Sequence, residues 1–437
     1  MSVDELVALV CCDLGAIVRG RAIPADELAA HLERGVGWVP ANHALTPLGG
    51  VAEPNPFGST GDLRLLPDPG TRARVPGEGH VTALDLLLCD IVEIDGRPWE
   101  CCPRELLRRT LRDLEGELRL RVRAGFEHEF QLLRDGPATL PFSLEGQRGA
   151  EPFAAAVMAG LGDAGVEPER FFREYAPHQF EIPTAAADAL TAADRAVVFR
   201  EVVRECARRA GTRASFVPLL DPEQAGNGVH IHLDLRDDQG RSALFDPARP
   251  ANLSELGGSF AAGVLSHARA LSSLSAPSPV SAARLRPHMW SAGAICLAER
   301  NREALLRIPP LLTLGGAELA TQMRLEYRGA DACANPHIAL AALLCAGLEG
   351  VRADLAPPPL LEADPARLTP AESDRFGVGA LPASLEQALG ALAEDELLRG
   401  WLGPLLYEAY TSVKRAELQE SAELDLRARC LRYAAAY

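Results

Sequence analysis

Four short segments place chemistry-bearing residues two apart: Glu127 and Glu129 in GFEHEF, Gln179 and Glu181 in HQFEI, His230 and His232 in GNGVHIHLDL, and Arg324, Glu326 and Arg328 in MRLEYR. In a β-strand, residues two apart share a face, so each segment carries polar side chains where a core face is expected. Any one of these pairs alone is an ordinary solvated strand face. All four together, with arginines interleaved at the same period, point to faces that converge within one sheet. Carboxylates gathered in this way repel and are costly to bury without cations. An oxygen-rich set with imidazole suits Mg²⁺ or Mn²⁺, and two such ions are a common means of activating a nucleoside triphosphate. Arginines beside Glu326 can clamp a carboxylate through paired hydrogen bonds or neutralise phosphate.

The elements that must position these residues are legible in outline. Residues 6–24 read as two strands turning at Gly15 and closed by Pro24. Residues 40–80 are rich in Pro and Gly, with a short strand at Leu63–Leu66. A strand pattern, LLLCDIVEI, is followed by a turn at Asp95-Gly96 and an amphipathic helix, PRELLRRTLRDLEGEL, from Pro103. The change of texture there sets an expected boundary, with domains over residues 1–102 and 103–437. The second part opens with the strand LRLRVRAGFEHEFQLL. Further on, a helix is expected to be capped by Thr191 with Asp194, to carry an apolar stripe through Val197, Val198 and Val202, and to stop at Gly211. Strand-like ASFVPLL, GVHIHLDL and MRLEYR and the helix PHIALAALLCAGLEGV complete an α+β pattern. Residues 354–370 read as a Pro-rich excursion between helices.

Composition narrows the function classes. The chain has 437 residues, 47% hydrophobic and 24% charged, within the range of folded globular proteins. Its formal net charge of −16 argues against a nucleic-acid partner, because phosphate contacts need clustered Lys and Arg. The N-terminal MSVDELVALVCCDLG lacks the basic region and long apolar run of a secretory signal, and no stretch reaches the roughly 18 apolar residues of a membrane span. A cytoplasmic protein with reduced thiols is therefore expected. The ten cysteines show no C-x-x-C spacing and read as packing residues.

The segments carry a resemblance. GDLRLLPD, GFEHEFQLL, EYAPHQFEI, AGNGVHIHLDL, RNREALLRIP and MRLEYRGADACANPHIALAALLCAGL follow one another as the motifs of the glutamine synthetase superfamily do, over nearly the whole chain. The resemblance implies a small N-terminal β-grasp domain, a larger catalytic α+β domain whose antiparallel sheet forms half of a funnel-shaped site, and a homo-oligomer, a dodecamer of two hexameric rings with sites between neighbouring subunits. Carried over residue by residue, it implies one Mg²⁺ or Mn²⁺ held by Glu129, Glu174 and Glu181 and a second by Glu127, His230 and Glu326. It implies that Arg284 and Arg328 grip the carboxylates of glutamate or a close analogue and that Gly226 brings backbone close to that substrate. ATP would be met by Arg302, Arg307 and His232. By this likeness the glutamate γ-carboxylate takes the γ-phosphoryl group of ATP, and an amine displaces phosphate from the γ-glutamyl phosphate. Positioning and charge neutralisation are then the protein's part.

The departures bear on the amine. Ammonia-using members carry a flap glutamate shortly after the RL-x-P arginine, where this chain has Trp290, and an N-terminal aspartate where it reads TPLGGV. A tryptophan offers apolar surface and a π face, suited to an alkyl or aromatic amine or to a cation held over the ring, better than to small hydrated ammonium. The chain is accordingly more similar to the branch of γ-glutamyl ligases for polyamines, ethanolamine, methylamine or anilines. Two further departures are His178, where the family has glycine, and Thr321, where it has lysine. Ammonia-dependent glutamine synthesis and a catalytically silent ring protein stand as the alternatives.

Overall fold

The computed structural model describes residues 5–77, 79–134, 136 and 139–437, and the acidic start at residues 1–4 lies outside them. Six strands form the first sheet: β1 Leu6–Cys12, β2 Val18–Pro24, β3 Val36–Trp38, β4 Leu63–Pro67, β5 Ala73–Val75 and β6 Leu84–Glu93, in the order β2-β1-β6-β4-β3, with β5 on β6. The β1–β2 hairpin is antiparallel while β6 runs parallel to β1, the mixed arrangement expected of a β-grasp. The hairpin turn is held by the Asp13 carboxylate, which accepts from the backbone N–H groups of Gly15 and Ile17.

Nine strands form the second sheet: β7 Arg121–Leu133, β8 Phe172–Arg173, β9 Gln179–Pro183, β10 Ala187–Asp188, β11 Arg213–Ser215, β12 Val229–Arg236, β13 Ala294–Glu299, β14 Ala304–Ile308 and β15 Leu325–Tyr327. The order is β13-β14-β15-β12-β7-β9-β8, with β10 and β11 both on β7. Every neighbour along it is antiparallel except β13 and β14, which run parallel. The reason one face of this sheet is free for polar residues lies in what covers the other. Along β7, Phe126, His128 and Phe130 are buried, alternating with Glu127 and Glu129. His128 stacks on Phe199 of the helix Ala189–Arg209 with ring centroids 4.4 Å apart, and Phe130 meets Phe216. Burial lowers the His128 imidazole to a pKa of about 3, so it is neutral at ordinary pH and packs as an aromatic. The helix Pro336–Arg352, buried along nearly its full length, completes the layer beneath.

One capping expectation fails. The helix begins at Ala189 after Asp188, and Thr191 is exposed in its first turn. Asp194 is instead buried and accepts two hydrogen bonds from Arg104, both at 2.8 Å, with His337 Nε2 at 2.8 Å from the same carboxylate. Arg104 also reaches Asp90 and Asp68 of the first sheet's neighbourhood, at 2.8 and 3.0 Å. A carboxylate that close to a buried guanidinium outweighs a local cap, because an unpaired buried charge costs several times what a cap contributes. All ten cysteines are buried free thiols. No helix among the described residues is long and apolar enough to cross a membrane.

Candidate active site

The polar residues form a row across five strands, and register explains it. Arg307 on β14 pairs with Glu326 on β15, Glu326 with His232 on β12, His230 with Glu127 on β7, and Glu129 with Glu181 on β9. Directly opposed residues point to the same side of the sheet, so each pairing adds one member to the row. His230 Nδ1 lies 3.1 Å from Glu127 Oε2 and 3.8 Å from Glu326 Oε1, and His232 Nε2 lies 3.1 Å from Glu127 Oε1. Glu326 is enclosed: Arg307 donates to one carboxylate oxygen at 2.8 Å and Arg328 to the other. Glu129 accepts the Gly228 backbone N–H at 2.7 Å and lies 3.4 Å from the Gln179 amide.

The electrostatics divide the row in two. Burial raises the Glu326 carboxyl, but Arg328, then His230, His232 and Arg307, outweigh it and hold the pKa at about 2. Burial likewise opposes ionisation of Glu127, yet the neighbouring His232 imidazole and a hydrogen bond from His230 keep it well below the ordinary carboxylate range. The other end is short of positive charge. Burial, aided by the Glu129 charge, pushes Glu174 up to about 7. Burial and the charges of Glu127 and Glu129 raise Glu181 well above its ordinary range. A divalent cation placed there would supply the positive charge that these two carboxylates lack.

The donor set fits such a cation. Ligand atoms of Glu127, His232 and Glu326 lie within 4.8 Å of one another, as do those of Glu127, Glu181 and His230. His232 Nε2 is buried without a hydrogen-bond partner, its contact with Glu127 being close but misaligned. This grouping differs from the one the resemblance implies, because Glu127 belongs to both sets and His232 joins one of them.

Two cavities flank the row. One, about 290 Å³, is lined by Glu127 and His232 together with Arg123, Arg236, Arg324 and Thr321. The other, about 260 Å³, is lined by Glu129, Glu174, Glu181 and His230 on one side and by Gly226, Arg302 and Arg328 on another, with Trp290 also on its wall. Arg284 is not among the lining residues of either. It is buried behind Gly226 and Gly228, donates to the carbonyls of Gly329 and Ala330, and burial lowers its pKa. Gly226 has no room for a side chain, since a Cβ would stand 2.0 Å from the Pro218 carbonyl oxygen and 2.8 Å from Arg284 Cγ.

Residues 100–427 match the glutamine synthetase catalytic domain and residues 2–99 the glutamine synthetase N-terminal domain. The chain belongs to the glutamine synthetase family. It is similar to the γ-glutamylpolyamine synthetase GlnA3 of Streptomyces coelicolor, 34% identical over 96% of this chain and 91% of that protein. It is also similar to the glutamine synthetase of Methanocaldococcus jannaschii, 31% identical over 90% of this chain and 85% of that one. Among solved structures, a novel glutamine synthase homolog matches with a TM-score of 0.91 and 45% identity, covering 99% of this chain and 98% of its own. A GmaS/ADP complex matches at 0.82 and 28%, covering 96% and 95%. Members of the glutamine synthetase family are ligases that use ATP and divalent metals, and this chain is a ligase of that family.

The departures from the glutamine synthetase pattern have local accounts. His178 stands at φ 52, a left-handed conformation that glycine adopts without strain, and its Nδ1 accepts a hydrogen bond from Arg134. Thr321 lines the cavity beside His232. The TPLGGV stretch packs away from both cavities, with Thr46 Oγ1 donating to Glu420. Trp290 is exposed at the mouth of the smaller cavity and stacks on Tyr175, with ring centroids 5.2 Å apart. Sequence reasoning missed Tyr175 and Phe142, which line the same cavity. The signal for Tyr175 was its place directly after Glu174; Phe142 lies in a Pro- and Leu-rich loop that offers none.

Proposed function

We propose that this chain joins the γ-carboxyl of glutamate, or a close analogue, to an organic amine at the expense of ATP. The observation that carries the reading is the pair of cavities meeting across one carboxylate–imidazole row. ATP would occupy the larger cavity, with Arg324 and Arg123 near its phosphates and His232 between nucleotide and row. Glutamate would occupy the smaller one against Arg328 and against Arg302, which lines that cavity rather than the one given to ATP, where the resemblance had implied it. Mg²⁺ or Mn²⁺, held by Glu127, Glu129, Glu174, Glu181, His230, His232 and Glu326, would neutralise phosphate charge.

In the first step a γ-carboxylate oxygen attacks the γ-phosphorus of ATP, the bond to the bridging oxygen breaks, and ADP leaves. In the second the amine nitrogen attacks the acyl carbon, phosphate leaves with the acyl C–O bond pair, and the nitrogen gives up a proton. Arg307 and Arg328 hold Glu326 in place, and the arginines lining the cavity face the charge that develops. Trp290 at the mouth, where ammonia-using members have a carboxylate, supports an organic amine. The similarity to a γ-glutamylpolyamine synthetase supports the same branch, and the similarity to glutamine synthetases supports ammonia as the competing nucleophile.

The test is phosphate release from ATP with Mg²⁺ and glutamate, comparing ammonium with polyamines, ethanolamine, alkylamines and anilines. Turnover with an organic amine well above that with ammonium is expected. Preference for ammonium refutes the amine assignment, and silence across the panel, with no binding of Mn²⁺ or ATP, leaves a non-catalytic ring protein.

A further inference from the structure

Three large aromatic side chains stand exposed together at the mouth of the smaller cavity: Phe142, Tyr175 and Trp290. Trp290 is the centre, with Tyr175 stacked at 5.2 Å and 24° and Phe142 tilted at 6.0 Å and 48°. Exposed aromatics are ordinary one at a time, whereas three in contact around a polar cavity mark a binding surface. Their placement is held by neighbours. Phe142 and Trp290 both adopt φ values near +55° to +58°, which L side chains rarely take. The Trp290 loop is anchored by Ser291 Oγ donating to the Arg284 carbonyl and by His288 Nε2 at 3.0 Å from Asp364. Tyr175 is fixed because its neighbour Ala176 donates its N–H to Gln179 Oε1 and accepts at its carbonyl from Arg173.

The charges around this mouth choose among amines. The carboxylates lining the cavity are Glu129, Glu174 and Glu181, all at the row already assigned to metal, and the remaining charged lining residues besides His230 are Arg302 and Arg328. A polyamine reaching out from the row would place its far ammonium groups beside Arg302 and Arg328, and among the described residues no further carboxylate lines the cavity to receive them. A monoamine with a hydrocarbon or aryl body would instead cover those faces and leave one amino group at the acyl carbon.

Resting on the ligase reading above, we propose that Phe142, Tyr175 and Trp290 form an aromatic cradle that selects a primary monoamine with an apolar body, an alkyl chain or an aryl ring, over both ammonium and polyamines. The three are specificity-determining residues for the amine.

The experiment uses the full-length protein with Mg²⁺, ATP and glutamate. It measures kcat and KM for methylamine, butylamine, benzylamine and phenethylamine against ammonium, putrescine and spermidine, in wild type, Trp290→Ala, Tyr175→Ala and Trp290→Phe. The expected KM falls from methylamine to phenethylamine by about tenfold or more, the size of one aromatic contact. Trp290→Ala is expected to cut the phenethylamine-to-methylamine ratio of kcat/KM by about tenfold, mainly through KM, and Trp290→Phe to restore most of it. Preference for putrescine or spermidine, or a fall of the same size for every amine, overturns the proposal. So does loss of the assembly by light scattering in the alanine variants, which would make the trio a subunit contact. If no amine supports phosphate release, the ligase reading fails separately. The cradle is then decided by titrating phenethylamine and following tryptophan fluorescence: quenching that disappears in Trp290→Ala supports it, and no quenching at millimolar amine overturns it.

Discussion

Replacing Glu174 with glutamine should stabilise the metal-free protein while disabling it. Glu174 is mostly buried beside Glu129, and its pKa stands at about 7 rather than near 4.5. A carboxyl raised in this way costs nothing while it is protonated in both states, below about pH 4.5. The penalty grows as pH rises and is complete above the folded value of about 7. A rise of that size corresponds to up to about 3 kcal/mol at pH 8. Glutamine keeps the shape and cannot ionise, so it escapes the penalty. For a chain of 437 residues, an unfolding entropy of about 2 cal/mol/K per residue makes this about 3 °C in Tm. Thermal unfolding in EDTA should show Glu174→Gln above wild type by that margin at pH 8 and nearly level with it at about pH 4. Adding Mn²⁺ should reverse the order at pH 8, because the cation stabilises only the protein that presents the carboxylate, and ATP-dependent turnover of the variant should be lost. An EDTA Tm at pH 8 equal to or below wild type would refute the electrostatic argument, and retained Mn²⁺ stabilisation would remove Glu174 from the metal site.

The opposite balance holds at Glu326. Glu326→Ala leaves the guanidiniums of Arg307 and Arg328 facing each other in a buried site, so it should lower stability by about 3–5 kcal/mol and cut turnover by at least about 100-fold. A wild-type denaturation midpoint would show that the arginines find other partners. Gly226→Ala forces its new Cβ against the Pro218 carbonyl and Arg284, displacing the segment whose carbonyl receives the Gln179 amide. A loss of about 1–3 kcal/mol and a raised KM for glutamate are expected, whereas wild-type KM and Tm together would show that the backbone gives way freely.

Much of the candidate site was legible because strand alternation is a local rule. GFEHEF, VHIHLDL and RLEYR put their polar members on one face whatever the rest of the chain does, whereas the burial of His128 against Phe199 emerged only from the packing. The β1–β2 hairpin, the helix from Pro103 and the Ala/Leu helix from Pro336 were equally plain from turn residues and periodicity. Thr191 and Asp194 show where that reasoning ends. The spacing was that of a cap, yet Asp194 was claimed by Arg104, 90 residues away in sequence, and by His337.

The sequence by itself determined which residues could share a face, and through ordered motifs it determined the glutamine synthetase family. Only the tertiary structure decided which faces meet. Strand order brought β14, β15, β12, β7 and β9 side by side and made Glu127 common to both ligand sets. It packed Arg284 directly behind Gly226 and Gly228 and gathered Phe142, Tyr175 and Trp290 from three separate loops. It also set the charge state of each carboxylate, since desolvation and the field of neighbouring groups depend on distances in space that sequence separation does not report.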